Sequence, residues 1–285
     1  MNFDNEIKNQ LQNYLVTQRL LPNQFVWHAQ TGGRTNKVWR LIGGKDLICK
    51  LYLETETNPL FSNTPEAEYR CLLWLEGSNI APKPYKFLKT PFGEVLLYNF
   101  ISGETWSHNV EAVSELLTRI RNHKCPKGLR TLSNLPSDIK QTGFEIINRL
   151  NRYHKNELIN ICPDVSISDI KPVLLHTDVV PGNLILGDDG LRLIDWQCPA
   201  VGDPIVDIMM FLSPSMHEIY GLGKLSLKDH EVFLMSLSSD LRNRYNKIGP
   251  LYHWRLAAYC FWKAEQGFVE YEKAALAEID LLKMI

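Results

Sequence analysis

The chain has 285 residues with 31 basic and 32 acidic side chains, a formal net charge of −1. So even a balance speaks against the strongly basic domain expected of a nucleic-acid binder, and 45% hydrophobic with 22% charged residues speaks against global disorder. No apolar stretch reaches the ~18 residues of a membrane helix, and Met1–Glu6 has no basic start followed by an apolar core. The chain is therefore expected to be cytoplasmic, with no membrane partner and no nucleic-acid partner. At roughly 150 residues per domain the length suggests about two domains. The six cysteines are scattered, with no C-x-x-C pair and no zinc-finger spacing, and read as reduced thiols.

An opening helix is predicted from Asn5 to about Arg19, ending before Leu21-Pro22. A β-rich stretch follows. Phe25–Trp27 reads as a strand, Thr31–Thr35 as a turn, and Val38–Ile42 and Asp46–Leu53 as two strands joined across Gly43-Gly44. A helix is predicted to start at Thr64, with Thr64 as cap, Pro65 at the first helical position and Glu66 favouring the positive end of the dipole. Gly77 is its expected stop. Tyr85–Leu88 and Glu94–Phe100 read as two further strands, and Ile101-Ser102-Gly103 as a hinge. Beyond it the spacing turns helical, in Val113, Leu116, Leu117 and Ile120 and again in Phe144, Ile147 and Leu150. From Pro204 to Ile285 a helical pattern is expected, broken near Gly221–Gly223 and at Gly249-Pro250. The outline is a small α+β lobe over residues 1–100 and a larger, mainly helical lobe over residues 101–285.

The chemistry is carried by His176-Thr177-Asp178-Val179-Val180-Pro181-Gly182-Asn183, then Leu193-Ile194-Asp195-Trp196. Leu184–Leu186 and Leu191–Ile194 read as strands around Asp188-Asp189-Gly190. A three-residue hairpin loop with a left-handed glycine would pair Gly187 with Leu191 and place Asn183 opposite Asp195. Directly opposed residues share a face, so an amide oxygen and a carboxylate would meet at the open end of the hairpin. Those are suitable hard ligands for Mg²⁺. Asp178, on the loop entering the hairpin, could then orient a substrate hydroxyl and take its proton. This is the logic of phosphoryl transfer. Either acid alone is ordinary loop or strand-end material; the ordered set is not.

This pattern resembles the aminoglycoside phosphotransferase and choline kinase superfamily. The matching residues are H-x-D-x-x-x-x-N at His176 to Asn183, I-D-W at Ile194 to Trp196, and G-D-P-x-x-D at Gly202 to Asp207. Gly190–Trp196 looks most like bacterial thiamine kinases. The resemblance covers about Gly32 to Asp207 and implies a protein-kinase-like two-lobed α+β fold. It further implies ATP or GTP with Mg²⁺ as cofactors and a small-molecule alcohol as acceptor. Asp178 would be the catalytic base with His176 supporting it, Asn183 and Asp195 would bind the metal, and Asp203 and Asp207 would brace the loop.

In the small lobe the resemblance makes Lys50 the lysine that contacts the nucleotide phosphates. A lysine inside an apolar strand needs a partner. Glu68, Leu72 and Leu75 share one helical stripe, which favours Glu68 over Glu66; the bland alternative is a lysine snorkelling from an edge strand. Gly32, Gly33 and Thr35 would belong to the phosphate-covering loop, and backbone groups of Asn99 and Ile101 would meet the base at the hinge. Gln197 stands where many relatives carry glutamate. No D-F-G or A-P-E occurs, which argues against a protein kinase. Tyr252, Trp254, Tyr259 and Trp262 either stack on a cationic acceptor such as thiamine, choline or an amino sugar or fill the core. Glu265, Glu270 and Glu272 read as a solvated face with a polyamine as the alternative. The competing functions are a non-catalytic nucleotide sensor and an aminoglycoside-modifying kinase.

Overall fold

The computed structural model describes residues 3–30, 35–53, 58–220 and 223–284, apart from the side chains of residues 3, 4 and 152. The chain divides into two compact units. The first holds Met1–Glu56 and Asn63–Ile101, the second Thr57–Ser62 and Ser102–Ile285.

The first unit contains α1 (Phe3–Thr17), β1 (Val26–Ala29), β2 (Lys37–Ile42), β3 (Leu47–Leu51), α2 (Pro65–Trp74), β4 (Pro84–Thr90) and β5 (Gly93–Asn99). The strands form one antiparallel sheet in the order β1-β2-β3-β5-β4. In β3 the two-residue period sorts the side chains. Leu47, Cys49 and Leu51 pack in one cluster with Leu11 and Leu15 of α1, Trp39 and Leu41 of β2, and Val95 and Leu97 of β5. Ile48 and Lys50 take the opposite face. Every residue of β3 is buried, so both faces of this central strand are covered. Helix α2 begins after Thr64 with Pro65 at its first position, but the Thr64 side chain makes no capping bond. Its carbonyl instead accepts from the N–H groups of Ala67 and Glu68, both at 3.1 Å.

The second unit contains β6 (Glu104–Thr105), α3 (Val110–Asn122), β7 (Arg130–Thr131), α4 (Pro136–Ile147), α5 (Arg152–Asn160), β8 (Val173–Leu175), β9 (Leu184–Gly187), β10 (Gly190–Leu193) and β11 (Ala200–Gly202). It closes with α6 (Ile205–Leu212), α7 (Pro214–Ile219), α8 (Leu227–Ser236), α9 (Ser239–Glu265) and α10 (Glu270–Leu282). Two small sheets, β10-β9-β6 and β7-β11-β8, are joined by the segment His176–Asn183, which runs from β8 to β9. Helix α9 is the spine of this unit and packs on α10, α4 and α6. Its approach to α4 is close enough that a Cβ on Gly143 would lie 2.2 Å from the Trp254 ring, which only glycine avoids.

The expected break at Gly249-Pro250 does not occur, and α9 runs through Pro250. An internal proline costs about 3 kcal/mol in an isolated helix. Here Ile248, Leu251, Tyr252 and Trp254 on either side are all buried, and packing of that kind outweighs local propensity. The aromatic residues expected either in the core or around an acceptor lie mostly in the core. Trp254 and Phe261 are at most 1% exposed, and the Trp254 indole N–H is spent on the Leu158 carbonyl at 2.8 Å. Glu265, Glu270 and Glu272 are exposed. All six cysteines are free thiols. Among the described residues no helix is long and apolar enough to cross a membrane.

Candidate active site

In the first unit Lys50 Nζ lies 2.7 Å from Glu68 Oε2, and the two residues are only 2% and 1% exposed. The Tyr52 hydroxyl donates to the same carboxylate oxygen. Lys50 stands on a central strand, between Val38 of β2 and Leu96 of β5, so it does not snorkel from an edge. Glu66, the alternative partner, is exposed and faces Lys89 at 3.4 Å. Gly32 and Gly33 lie outside the described residues. Thr35 follows them, half-buried, and the neighbouring Asn36 exchanges two amide hydrogen bonds of 2.9 Å with Asn63. Asn99 closes β5 opposite Leu47, its N–H donating to the Lys83 carbonyl at 2.9 Å, and Ile101 is the last residue of the unit.

In the second unit β8 delivers the chain into His176-Thr177-Asp178. His176 is fully buried, against Trp196 with ring centroids 4.6 Å apart. Its Nδ1 accepts from the Asp178 N–H at 3.3 Å, so Nε2 carries the proton and donates to the Ile194 carbonyl at 3.0 Å. His176 is thus a positioning residue that ties the loop to the end of β10. Thr177 has φ 70°. For a β-branched residue that is a strained conformation, worth of order 1–3 kcal/mol. It is held by the Asp207 carboxylate, whose two oxygens accept the N–H groups of His176 at 3.0 Å and Thr177 at 2.7 Å. The Thr177 hydroxyl donates to the Cys198 carbonyl at 2.7 Å. With its neighbours pinned in this way, Asp178 is presented half-buried, while His176, Thr177, Val179 and Val180 are closed to solvent.

The hairpin forms, with a register one residue from the expected one. Gly187 pairs with Gly190 and Leu184 with Leu193. Gly190, at φ 97°, joins the ladder instead of the loop, leaving Asp188-Asp189 as the turn. Asn183 therefore lies opposite Ile194, whose N–H donates to the Asn183 carbonyl at 2.9 Å. Asp195 is the next residue and sits at φ 63°. That left-handed step breaks the strand alternation, so the side chain of Asp195 is not placed by counting pairs. The Asn183 side-chain N–H₂ donates to the Asp178 carbonyl at 3.0 Å and to its carboxylate at 3.1 Å. A carbonyl oxygen only accepts, so the amide nitrogen must be the atom facing Asp178. The Asn183 side-chain oxygen accepts no hydrogen bond among the described residues. An unused amide oxygen next to the half-buried Asp178 carboxylate, with the half-buried Asp195 two residues past the Leu184–Leu193 pair, is a donor set of the kind that a small hard divalent ion takes.

Asp203 and Asp207 lie further back. Asp203 is 1% exposed. It accepts from Arg244 Nε at 2.8 Å and Nη2 at 2.6 Å and from the Ile205 N–H at 3.0 Å. Burial raises the Asp207 carboxyl from 3.8 to about 6, against the pull of its two backbone donors. Its folded value thus exceeds its unfolded one, and the folded chain holds the proton more tightly. The contribution to stability is full below about pH 4 and is lost as the pH rises through about 6, by roughly 3 kcal/mol. Chemical denaturation from pH 4 to 7 should show wild type losing stability relative to Asp207→Asn over that window, with a flat difference above it.

Four residues that shape this site carry no local signal in the sequence. Thr177 reads as an ordinary spacer, and nothing in its type announces a positive φ. Arg130 donates to the Leu60 and Cys198 carbonyls, both at 3.2 Å, from positions 70 and 68 residues away. Arg244 reaches Asp203 across 41 residues. The contribution of Cys198 is its backbone carbonyl, to which residue type is irrelevant.

Residues 27–222 match the family model described as the phosphotransferase enzyme family. The chain belongs to that family. Among individual proteins, LicA of Haemophilus influenzae is 32% identical over 87 residues, which is 30% of this chain and 29% of LicA. This phosphotransferase also shares its fold with solved structures. A choline/ethanolamine kinase family protein from Mesorhizobium loti superposes with a TM-score of 0.71 at 12% identity, covering 98% of this chain and 94% of that one. A spectinomycin phosphotransferase in complex with ADP and spectinomycin gives 0.61 at 15% identity, covering 96% and 92%. The phosphotransferase therefore has the protein-kinase-like α+β architecture implied by its motifs, with a sheet-rich first unit and a larger, mainly helical second unit.

Proposed function

We propose that this phosphotransferase is a small-molecule kinase, transferring the γ-phosphoryl group of ATP or GTP to an alcohol. The observation that carries the reading is the Asp178–Asn183 pair. A half-buried carboxylate on a pinned loop is hydrogen-bonded to an amide whose oxygen is unused. Asp178 orients the acceptor hydroxyl and takes its proton as the oxygen bonds to the γ-phosphorus. The bond from phosphorus to the β–γ bridging oxygen breaks, and the nucleoside diphosphate leaves. Asn183 and Asp195 would hold Mg²⁺, which when bound offsets the charge of the phosphates. By the resemblance, Lys50, paired with Glu68, would add a fixed positive charge to the phosphates, Gly32, Gly33 and Thr35 would supply backbone N–H groups, and Asn99 and Ile101 would meet the base.

The thiamine-kinase-like segment Gly190–Trp196 forms β10 and the approach to Asp195, so it bears on the metal and the nucleotide and not on the acceptor. A cationic acceptor of the choline, thiamine or amino-sugar type rests on resemblance and on the names of relatives, because Trp254 and Phe261 are core residues. The test is nucleoside diphosphate release from MgATP and MgGTP against vitamins, amino alcohols, aminoglycosides, hydroxy acids and alcohol phosphates. Release that depends on one alcohol supports the reading. Tight nucleotide binding with no acceptor-dependent release from any of them contradicts it.

A further inference from the structure

The second unit carries a cleft of about 290 Å³, open to solvent on one side, whose wall includes Phe61, Arg130, Thr177, Met209, Tyr252 and Arg255. Three polar atoms buried in these residues have no hydrogen-bond partner among the described residues: Nε of Arg130, Nε of Arg255 and the hydroxyl of Tyr252. Tyr252 is 1% exposed, so its hydroxyl is a polar group withheld from water with no hydrogen-bond partner among the described residues. Arg130 spends its other nitrogens on neutral acceptors, namely the Leu60 and Cys198 carbonyls and the Thr177 hydroxyl. Arg255 makes no hydrogen bond or ion pair among the described residues; its guanidinium lies 5.2 Å from the centroid of the Tyr252 ring.

This is an unusual electrostatic arrangement. Arginine cannot shed its charge in a protein; both residues are half-buried, with their Nε atoms closed to solvent, and charge held partly out of water favours an anionic partner. Yet Arg130 lies close enough to disfavour the charge on Arg255, and no carboxylate among the described residues pairs with either guanidinium. The acid on the cavity wall, Asp138, is exposed, and its oxygens accept from Ser133 and Ser137 hydroxyls at 2.6 and 3.1 Å. Water can fill such a space but brings no charge. The volume is at the small end of the ~300–1,000 Å³ typical of metabolite pockets.

We infer that this cavity binds the anionic group, a carboxylate or a phosphate, of the molecule whose hydroxyl is phosphorylated. The inference rests on the kinase reading above and deepens it by naming the acceptor class. Arg255 and Arg130 take the anion through charge-assisted hydrogen bonds, and the Tyr252 hydroxyl donates a further one. Thr177 is the residue that connects cavity and chemistry: its side chain lines the wall and the next residue is Asp178. Phe61, also on the wall, packs edge-on against Tyr259 at 5.1 Å, and Tyr259 lies within electrostatic range of Asp178. An acceptor anchored at the arginines has its charged end drawn away from the Asp178 carboxylate, which orients the hydroxyl end toward it. A hydroxy acid or an alcohol phosphate therefore suits this pocket better than a quaternary amine.

The test is calorimetric and thermal-shift titration of the whole chain without nucleotide. The probes are inorganic phosphate, glycolate and choline, with sodium chloride at matched ionic strength. Ligands that bind the folded state raise its Tm in a saturable way. Phosphate or glycolate is expected to do so where chloride and choline do not, and the better of the two identifies the anionic group. Arg255→Gln is expected to weaken that binding at least tenfold. Tyr252→Phe removes a hydroxyl with no partner, keeps the fold intact, and is expected to weaken it several-fold. Asp178→Asn is expected to bind the anion at least as tightly as wild type while losing transfer, so failure here is distinguishable from failure of the kinase reading. No saturable shift beyond that of chloride, tighter binding of choline, or equal anion affinity in wild type and both cavity variants would overturn the inference.

Discussion

Asp178→Asn is expected to lower kcat for phosphoryl transfer by roughly 10²–10⁴-fold, the range for loss of a positioned general base, while nucleotide affinity stays near that of wild type. The separation follows from the loop. The Asn183 amide donates both to the Asp178 carbonyl and to its carboxylate, and an asparagine side-chain oxygen still offers the second acceptor. His176, Thr177 and Asp207 fix the backbone irrespective of the residue at 178. What the substitution removes is the negative charge proposed to take the hydroxyl proton. Steady-state kinetics together with equilibrium nucleotide binding measure both quantities. A kcat within a few-fold of wild type would mean that another group takes the proton.

The second large effect is expected on stability. Glu68→Ala should cost about 3–5 kcal/mol, because it leaves the Lys50 ammonium in a strand with both faces covered. The Tyr52 hydroxyl loses its acceptor in the same change. Replacing the pair together, as Lys50→Met with Glu68→Leu, should recover most of that loss, since well-packed apolar groups often replace a buried ion pair without penalty. Phosphoryl transfer should not recover, because the proposed role of Lys50 needs its charge. Denaturant unfolding of the single and double variants beside their turnover separates the two roles. A double variant as unstable as Glu68→Ala would show that the ion pair itself holds the sheet.

Much of this was legible from local pattern. The stripe Glu68, Leu72 and Leu75 selected the partner of Lys50 because one helix face meets one sheet face. The apolar run around Lys50 marked a buried strand, though not which strand lies at the centre of the sheet. The order His176, Asp178, Asn183, Asp195 marked the candidate site because its parts lie within twenty residues and one hairpin. The hairpin register shifted by one because residue types alone do not say whether Gly190 ends the loop or begins the strand. Helix α9 passed through Pro250 because burial of Ile248, Leu251 and Tyr252 outweighed a local preference. The pairing of Arg244 with Asp203, and the meeting of Arg130 with Arg255 at one cavity, depend on tertiary proximity that no spacing encodes. The aromatic run around Trp254 was compatible with a pocket or a core by type alone, and packing against Phe144 of α4 places Trp254 in the core.

Phosphoryl transfer as proposed requires Asn183 and Asp195 to share one divalent ion beside Asp178. Crystals grown with Mn²⁺ and a non-hydrolysable ATP analogue test this directly by anomalous scattering. The expected result is a Mn²⁺ peak bonded to the side-chain oxygen of Asn183 and to a carboxylate oxygen of Asp195, with Asp178 nearby. A bound nucleotide whose metal peak touches neither residue would contradict it.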